Sequence, residues 1–168
     1  INFPVYINLN AKNSTIEFIP QISGDFTFSM QGKTYNNIHI IKSPSDATLI
    51  IWGANAINKF IIDNGCKVKF IAGSTQTILN SFIASGTSDA SIYIGSTTSS
   101  PFTLNASVGY TRMQVEHCFI QNSTASPNNR WYAQNSVDLG GNSGWNFKEY
   151  SLKPIRIGNK IINKHIEK

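Results

Sequence analysis

The chain has little charge: Lys, Arg, Asp and Glu make up 14% of its 168 residues, against about 25% in ordinary globular domains. Cysteine is almost absent, with Cys66 and Cys118 far apart. That excludes a disulfide-dense scaffold; one bond stays open, and two small buried apolar groups are the commoner arrangement. There is no Cys-x-x-Cys, and His39, His117 and His165 are scattered, so neither a zinc site nor any other metal or cofactor is indicated. No apolar run nears the roughly 20 residues that span a membrane as a helix. The opening "INFPVYINLN" lacks the basic start, apolar core and small-residue cleavage site of a signal peptide. With no initiating Met, it reads as the start of a fragment or processed product.

In place of charge there are Asn, Ser and Thr, with nineteen Asn. A polar, nearly uncharged surface suits virion, extracellular and carbohydrate-facing proteins. The net charge of +5 is uneven. Residues 1–147 carry eight basic and seven acidic side chains, and 148–168 carry six and two. The last segment has no aromatics after Tyr150 and no dense basic cluster, so it reads as a basic extension rather than a nucleic-acid contact. The domain is then 1–147 and the extension 148–168.

Helical periodicity is weak throughout. Short β-branched and aromatic runs recur instead, among them "DFTFSM", "NIHIIK", "ATLIIW", "KVKFIAG", "SIYIGS" and "MQVEHCFIQN", divided by Gly, Ser, Asn and Pro. This is an all-β pattern. The longer period separates its forms. Phe28, Ile50, Phe70, Ile94 and Val115 are spaced by 22, 20, 24 and 21; Ile40, Ile62, Phe82, Leu104 and Phe119 by 22, 20, 22 and 15. Two interleaved ladders with one common step predict a right-handed parallel β-helix, a solenoid of about 21 residues per coil. A β-sandwich is the alternative, but nothing in it keeps alternate steps equal. Asn, Ser and Thr repeated up such a stack can bond to their copies, which accounts for the Asn excess without a ligand.

A solenoid must close its open end. The short step at Phe119 predicts that the repeat stops there. The following stretch, through "NSVDLGGNSGWNF", supplies Trp131, Trp145 and Phe147 as a lid, with Gly141, Asn142 and Gly144 to fold it over. The expected cap packs near Phe119.

"CFIQNSTASPNNRWYAQNSVDLGGNSGWNF" resembles a terminal pattern of tailed-bacteriophage virion proteins: Asn-Ser-x-Ala, Trp-x-Ala, Ser-x-Asp, then Gly-Asn-x-Gly-Trp-x-Phe. The matching residues are Asn122, Ser123, Ala125, Trp131, Ala133, Ser136, Asp138, Gly141, Asn142, Gly144, Trp145 and Phe147. The tail resembles a short phage-tail repeat through Ile155, Ile157, Gly158, Ile162 and Lys164. Similar segments occur in bacterial surface adhesins. The resemblance implies a virion structural or attachment protein, such as a tail, fibre or head decoration, that assembles with other subunits or with itself; in such proteins neither motif is catalytic.

Two other functions compete. A carbohydrate-binding adhesin module, at a cell surface or secreted, would stack a host polysaccharide on exposed aromatics; Tyr35, Trp52, Tyr93 and Tyr110 are candidates, with Trp52 and Tyr93 foremost. A polysaccharide-degrading enzyme needs two carboxylates across one cleft. Of nine acids no two lie at i, i+2 on a strand, and Glu116, His117 and Cys118 alternate faces. The expectation is a protein that is not an enzyme.

Overall fold

The computed structural model describes residues 14–42, 46–107, 112–148, 151–157 and 160–166. Among them there is no helix, and therefore none long and apolar enough to cross a membrane. The strands begin with β1 (Thr15–Phe18), β2 (Gly24–Ser29), β3 (Thr34–Ile40), β4 (Ala47–Trp52), β5 (Asn55–Ile62) and β6 (Lys67–Phe70). Next come β7 (Thr75–Ser85), β8 (Ile92–Ser96), β9 (Phe102–Ala106), β10 (Met113–Glu116), β11 (Cys118–Gln121) and β12 (Ser123–Ser126). The last are β13 (Trp131–Gln134), β14 (Val137–Asp138), β15 (Trp145–Lys148), β16 (Ser151–Ile157) and β17 (Lys160–Ile166).

Strands that follow each other in sequence do not pair in the body. One sheet runs β1-β3-β5-β7-β10-β13-β15, the other β2-β4-β6-β8-β11-β14, and the pairings along both are parallel. This is a β-solenoid of about five turns spaced by about 22 residues, and it rules out the sandwich. The middle coils have a third strand segment, β9 and β12. Between Ile57 and Lys59 a register shift divides the β5–β7 ladder. The first half of β7 carries β9 and then β12, while its second half carries β10.

The inward columns differ in detail from the expected ladders. Phe28 and Phe70 share a column, but Ile51 stands between them and Ser96 follows Phe70. Ile50 has the opposite parity, and Ile94 stacks on Val68 in the neighbouring column. On the other sheet Phe18, Ile40, Ile62, Ala84, Val115, Ala133 and Phe147 align. Phe82 belongs beside them with Ile38 and Phe60, and Leu104 faces Gln76 and Ala125 instead. Phe119 points outward, because the buried residues of "CFIQ" are Cys118 and Ile120. The repeat does not stop at Phe119: β10 pairs β13, β13 pairs β15, and β11 pairs β14. The later coils are simply shorter.

Aromatic rings from several of the stacked coils form a spine through the core. Phe60 meets Phe82 at 5.4 Å between centroids, Phe82 meets Trp131 at 5.6 Å, and Trp131 meets Trp145 at 5.3 Å. Polar ladders tie coils together elsewhere. Asn58 donates to Asn36 Oδ1 at 3.0 Å, Gln114 to Gln134 Oε1 at 2.6 Å, and Asn37 to Thr15 Oγ1 at 3.2 Å. The buried pair Asn55 and Gln76 bonds at 2.8 Å, and both side chains donate to the Gly53 carbonyl, which fixes that corner.

Both cysteines are free and buried. They lie on either side of Ile92, two rungs apart, which is about 10 Å at the usual strand spacing and beyond the roughly 7 Å limit for a disulfide. Burial, with Asp63 adding to it, pushes the Cys66 thiol up to about 11; burial pushes Cys118 up to about 12. Since the thiolate is the nucleophile, neither thiol should react appreciably with iodoacetamide at pH 8 until denaturant is added; equal native and denatured rates would contradict this burial. The folded values lie above the unfolded ones, so the stabilisation is complete below pH 9 and is lost as pH rises through about 11 and 12. Cys118→Ala should flatten part of that alkaline decline.

Residues 151–157 and 160–166 form a two-stranded antiparallel sheet of their own, with Ile155 opposite Ile162. Lys148 still belongs to the body, opposite Gln134 in β15.

Candidate functional site

Two regions concentrate the residues singled out by the sequence. The first is the corner after β14. Asp138 Oδ1 accepts the Gly140 N–H at 2.8 Å and the Asn142 side-chain N–H at 2.6 Å. The Asn142 amide also donates to the Ile120 carbonyl at 2.7 Å and accepts the Ser123 N–H at 3.0 Å. One side chain thus joins the last turn to the coil before it. Gly141 and Gly144 have φ of +70° and +74°. A Cβ on Gly144 would overlap the Ala125 carbonyl, and one on Gly141 would overlap the Asn122 side chain. Trp145 Nε1 donates to Ser123 Oγ at 3.1 Å.

This corner is therefore built against residues 120–126. Trp145 and Phe147 stand on Trp131 and Ala133, not beside Phe119, which lies on the outer face of the other sheet. Trp131 is itself fully buried, with its ring N–H on the Ser126 carbonyl at 2.9 Å. It is a core residue beneath the half-buried Trp145 rather than part of a lid. Asp138 and Asn142 are both engaged by the turn, so the corner's evident chemistry is folding.

The second region is the outer face of the sheet containing β8 and β11. Strand alternation and register place Lys67, Tyr93, Phe119 and Val137 in one outward column. Lys69, Gly95 and Gln121 form the next column, and Leu139 follows, its N–H on the Ile120 carbonyl. Phe119, Val137 and Leu139 are 38%, 47% and 43% exposed. Gly95 lets the Tyr93 ring lie across the sheet: a Cβ there would come within 2.6 Å of its hydroxyl oxygen and 2.8 Å of its ring. The Tyr93 hydroxyl donates to Gln121 Oε1 at 2.8 Å. Burial holds this phenol above its ordinary range, so it remains a neutral donor at neutral pH.

Trp52 lies on the same outer face, 48% exposed, at the far end of β4. It is two rungs and four strand positions from the Tyr93 column, or about 16 Å. Tyr35 is turned inward, donating to the Met30 carbonyl at 2.9 Å; Tyr110 lies outside the described residues. Phe119, Gln121 and Lys69 escaped the sequence reading. Phe119 was assigned inward because "CFIQ" is apolar at both parities; the alternation of Tyr93, Gly95 and Gln121 up the stack is a signal that register would have supplied.

The acids are dispersed. Asp63 bonds His39 at 2.8 Å, Asp46 pairs with Lys67, and Glu116 accepts from Asn135. Among the described residues no three His, Cys, Asp or Glu side chains converge on a common point. The hollow lined by Pro20, Ile40, Leu49, Cys66 and Lys67 has a volume of about 20 Å³, room for a water molecule or so and far below the roughly 300 Å³ of a small-molecule site. No family model, curated protein or solved structure matches the chain.

Proposed function

We propose that the chain is a structural or attachment component of a virion, such as a tail, fibre or head decoration, that works as a stiff body joined to other subunits. The observation that supports this best is the construction of the corner at 138–147. The residues through which the chain resembles phage virion proteins serve here to bind one coil to the next. Asn142 bridges the turns, Gly141 and Gly144 permit the close approach, and Trp145 lies on Trp131. A motif whose role is mechanical fits a protein whose role is mechanical. In a solenoid each coil touches its neighbours along the stack, so stiffness follows from the repeat. The test is composition: peptides of the chain should band with infectious particles in a density gradient at a fixed copy number. Peptides found only in the soluble fraction of the lysate would end this reading.

The segment 149–168 is assigned to assembly. A two-stranded hairpin is marginal alone in water, and this one forms a sheet separate from the body. Truncation after Lys148 should leave the melting of the body unchanged and abolish incorporation into particles. Normal incorporation of the truncated chain would remove the segment from the mechanism.

A further inference from the structure

We infer that the outer face around Tyr93 is a binding site for an acidic glycan, with Tyr93 and Phe119 as stacking platforms, Gln121 as hydrogen-bond donor and Lys69 as the cation. This deepens the attachment part of the function proposed above by giving it a site and a ligand class, and it rests on four features. The Tyr93 ring reaches over Gly95 and is pinned through its hydroxyl by Gln121, so its position is fixed before any ligand arrives. An aromatic fixed in advance loses little rotamer entropy on binding. Phe119 adds a ring that is 38% exposed one rung, about 4.8 Å, further along.

The polar groups around these rings are of one kind. Gln121 accepts from Tyr93 through its oxygen, which leaves its two N–H groups without a partner among the described residues. Lys69 lies beside Gly95 and has no ion partner among the described residues, whereas Lys67 in the adjoining column is held by Asp46. Donors and an ammonium beside stacked rings suit a ligand with apolar ring faces, acceptor oxygens and negative charge. A sugar ring bearing a carboxylate meets all three requirements. The outward face of a sheet suits a polymer lying across it rather than a small molecule held in a pocket.

The test uses the purified full chain on an array of immobilised oligosaccharides, uronate-containing and sialylated members set against neutral ones, with titration calorimetry on the strongest binder. Binding should be confined to acidic members and weaken as salt rises from 50 mM to 500 mM, because the Lys69 attraction is screened. Tyr93→Ala and Lys69→Glu should each weaken it by about tenfold or more, roughly 1.4 kcal/mol. Gln121→Leu should weaken it while leaving the melting temperature unchanged. Trp52→Ala removes a more exposed ring elsewhere on the face, and an equal loss there would mark non-specific adsorption and overturn the proposal. So would binding to neutral members alone, binding to no member, or binding indifferent to Tyr93. If Tyr93→Ala and Phe119→Ser instead halve the solution mass, the face is a contact between copies of the chain and the glycan site is wrong. Each of these failures leaves the particle-composition test standing, since presence in a virion does not depend on the ligand.

Discussion

Trp131→Ala is expected to destabilise the body by about 3 to 5 kcal/mol, the usual range for truncating a buried Phe or Trp. Total stabilities are about 5 to 15 kcal/mol, and for a chain of this size each kcal/mol moves the midpoint by about 2 to 4 °C, so a fall of roughly 6 to 20 °C follows. Three features place Trp131 at the high end. Its side chain is fully buried. It stands between Phe82 and Trp145, so its loss leaves a gap in the aromatic spine. Its ring N–H is on the Ser126 carbonyl, and a buried carbonyl left without its donor adds a cost of about 1 to 3 kcal/mol where water cannot replace the bond. Trp131→Phe keeps most of the packing and should lose much less. Trp145→Ala should also lose less, since Trp145 is half-buried at the end of the stack. A thermal melt of the three variants tests the order, and a loss at Trp131→Ala below about 1 kcal/mol, the mean for ordinary substitutions, would contradict this account of the core.

The solenoid was legible because stacking imposes a period. Ile40, Ile62 and Ala84 must share a column, so their spacing survives in the sequence even though each run alone is an ordinary strand. Parity was less legible. In "LIIW" and "CFIQ" apolar residues occupy both faces of the strand, and alternation cannot choose between Ile50 and Ile51 or between Phe119 and Ile120. Burial chose Ile51 and Ile120. The end of the repeat was misread for the same reason, since the short step at Phe119 came from following an outward residue.

The corners were half legible. Glycines mark some of them, but Gln31, His117, Asn122 and Asn135 also take positive φ, of 46° to 52°. Nothing in the local sequence singles out Gln31 or His117 for that conformation, which tertiary contacts impose. The outer-face site was legible only as single aromatics. Tyr93 becomes a candidate platform through Gly95 beside it and Gln121 one rung away, and that neighbourhood is a product of register. The motif at 138–147 was legible as a unit through its resemblance, while its work of joining the last turn to residues 120–126 required coordinates.

The three glycines of "GGNSG" should separate cleanly when each is replaced by Ala. All have positive φ: +95° at Gly140, +70° at Gly141 and +74° at Gly144. An L-residue held there costs about 1 to 3 kcal/mol whatever its surroundings. Surroundings then set the order. A Cβ at Gly140 meets nothing within 4 Å, so Gly140→Ala should show the backbone cost alone. At Gly141 the obstacle is the side chain of Asn122, which can rotate away by giving up its bond to the Thr98 carbonyl. At Gly144 the obstacle is the backbone of Ala125, a residue fixed in β12 whose N–H bonds the Ser143 carbonyl at 2.8 Å. That carbonyl has nowhere to go, and overpacking against a fixed group adds about 1 to 3 kcal/mol. Gly144→Ala should therefore cost about 2 to 6 kcal/mol, with Gly141→Ala between it and Gly140→Ala. The loss has a ceiling, because the last turn can peel from the stack once the strain exceeds its own docking energy. Beyond that point the midpoint of the body stops falling while the Ala125 amide loses its partner. Hydrogen exchange at Ala125, followed beside the melt, distinguishes the two regimes: protection should drop most in Gly144→Ala and least in Gly140→Ala. Equal effects at all three positions would mean that the turn does not sit against residues 122–125 as described, and the mechanical role assigned to the motif would fall with it.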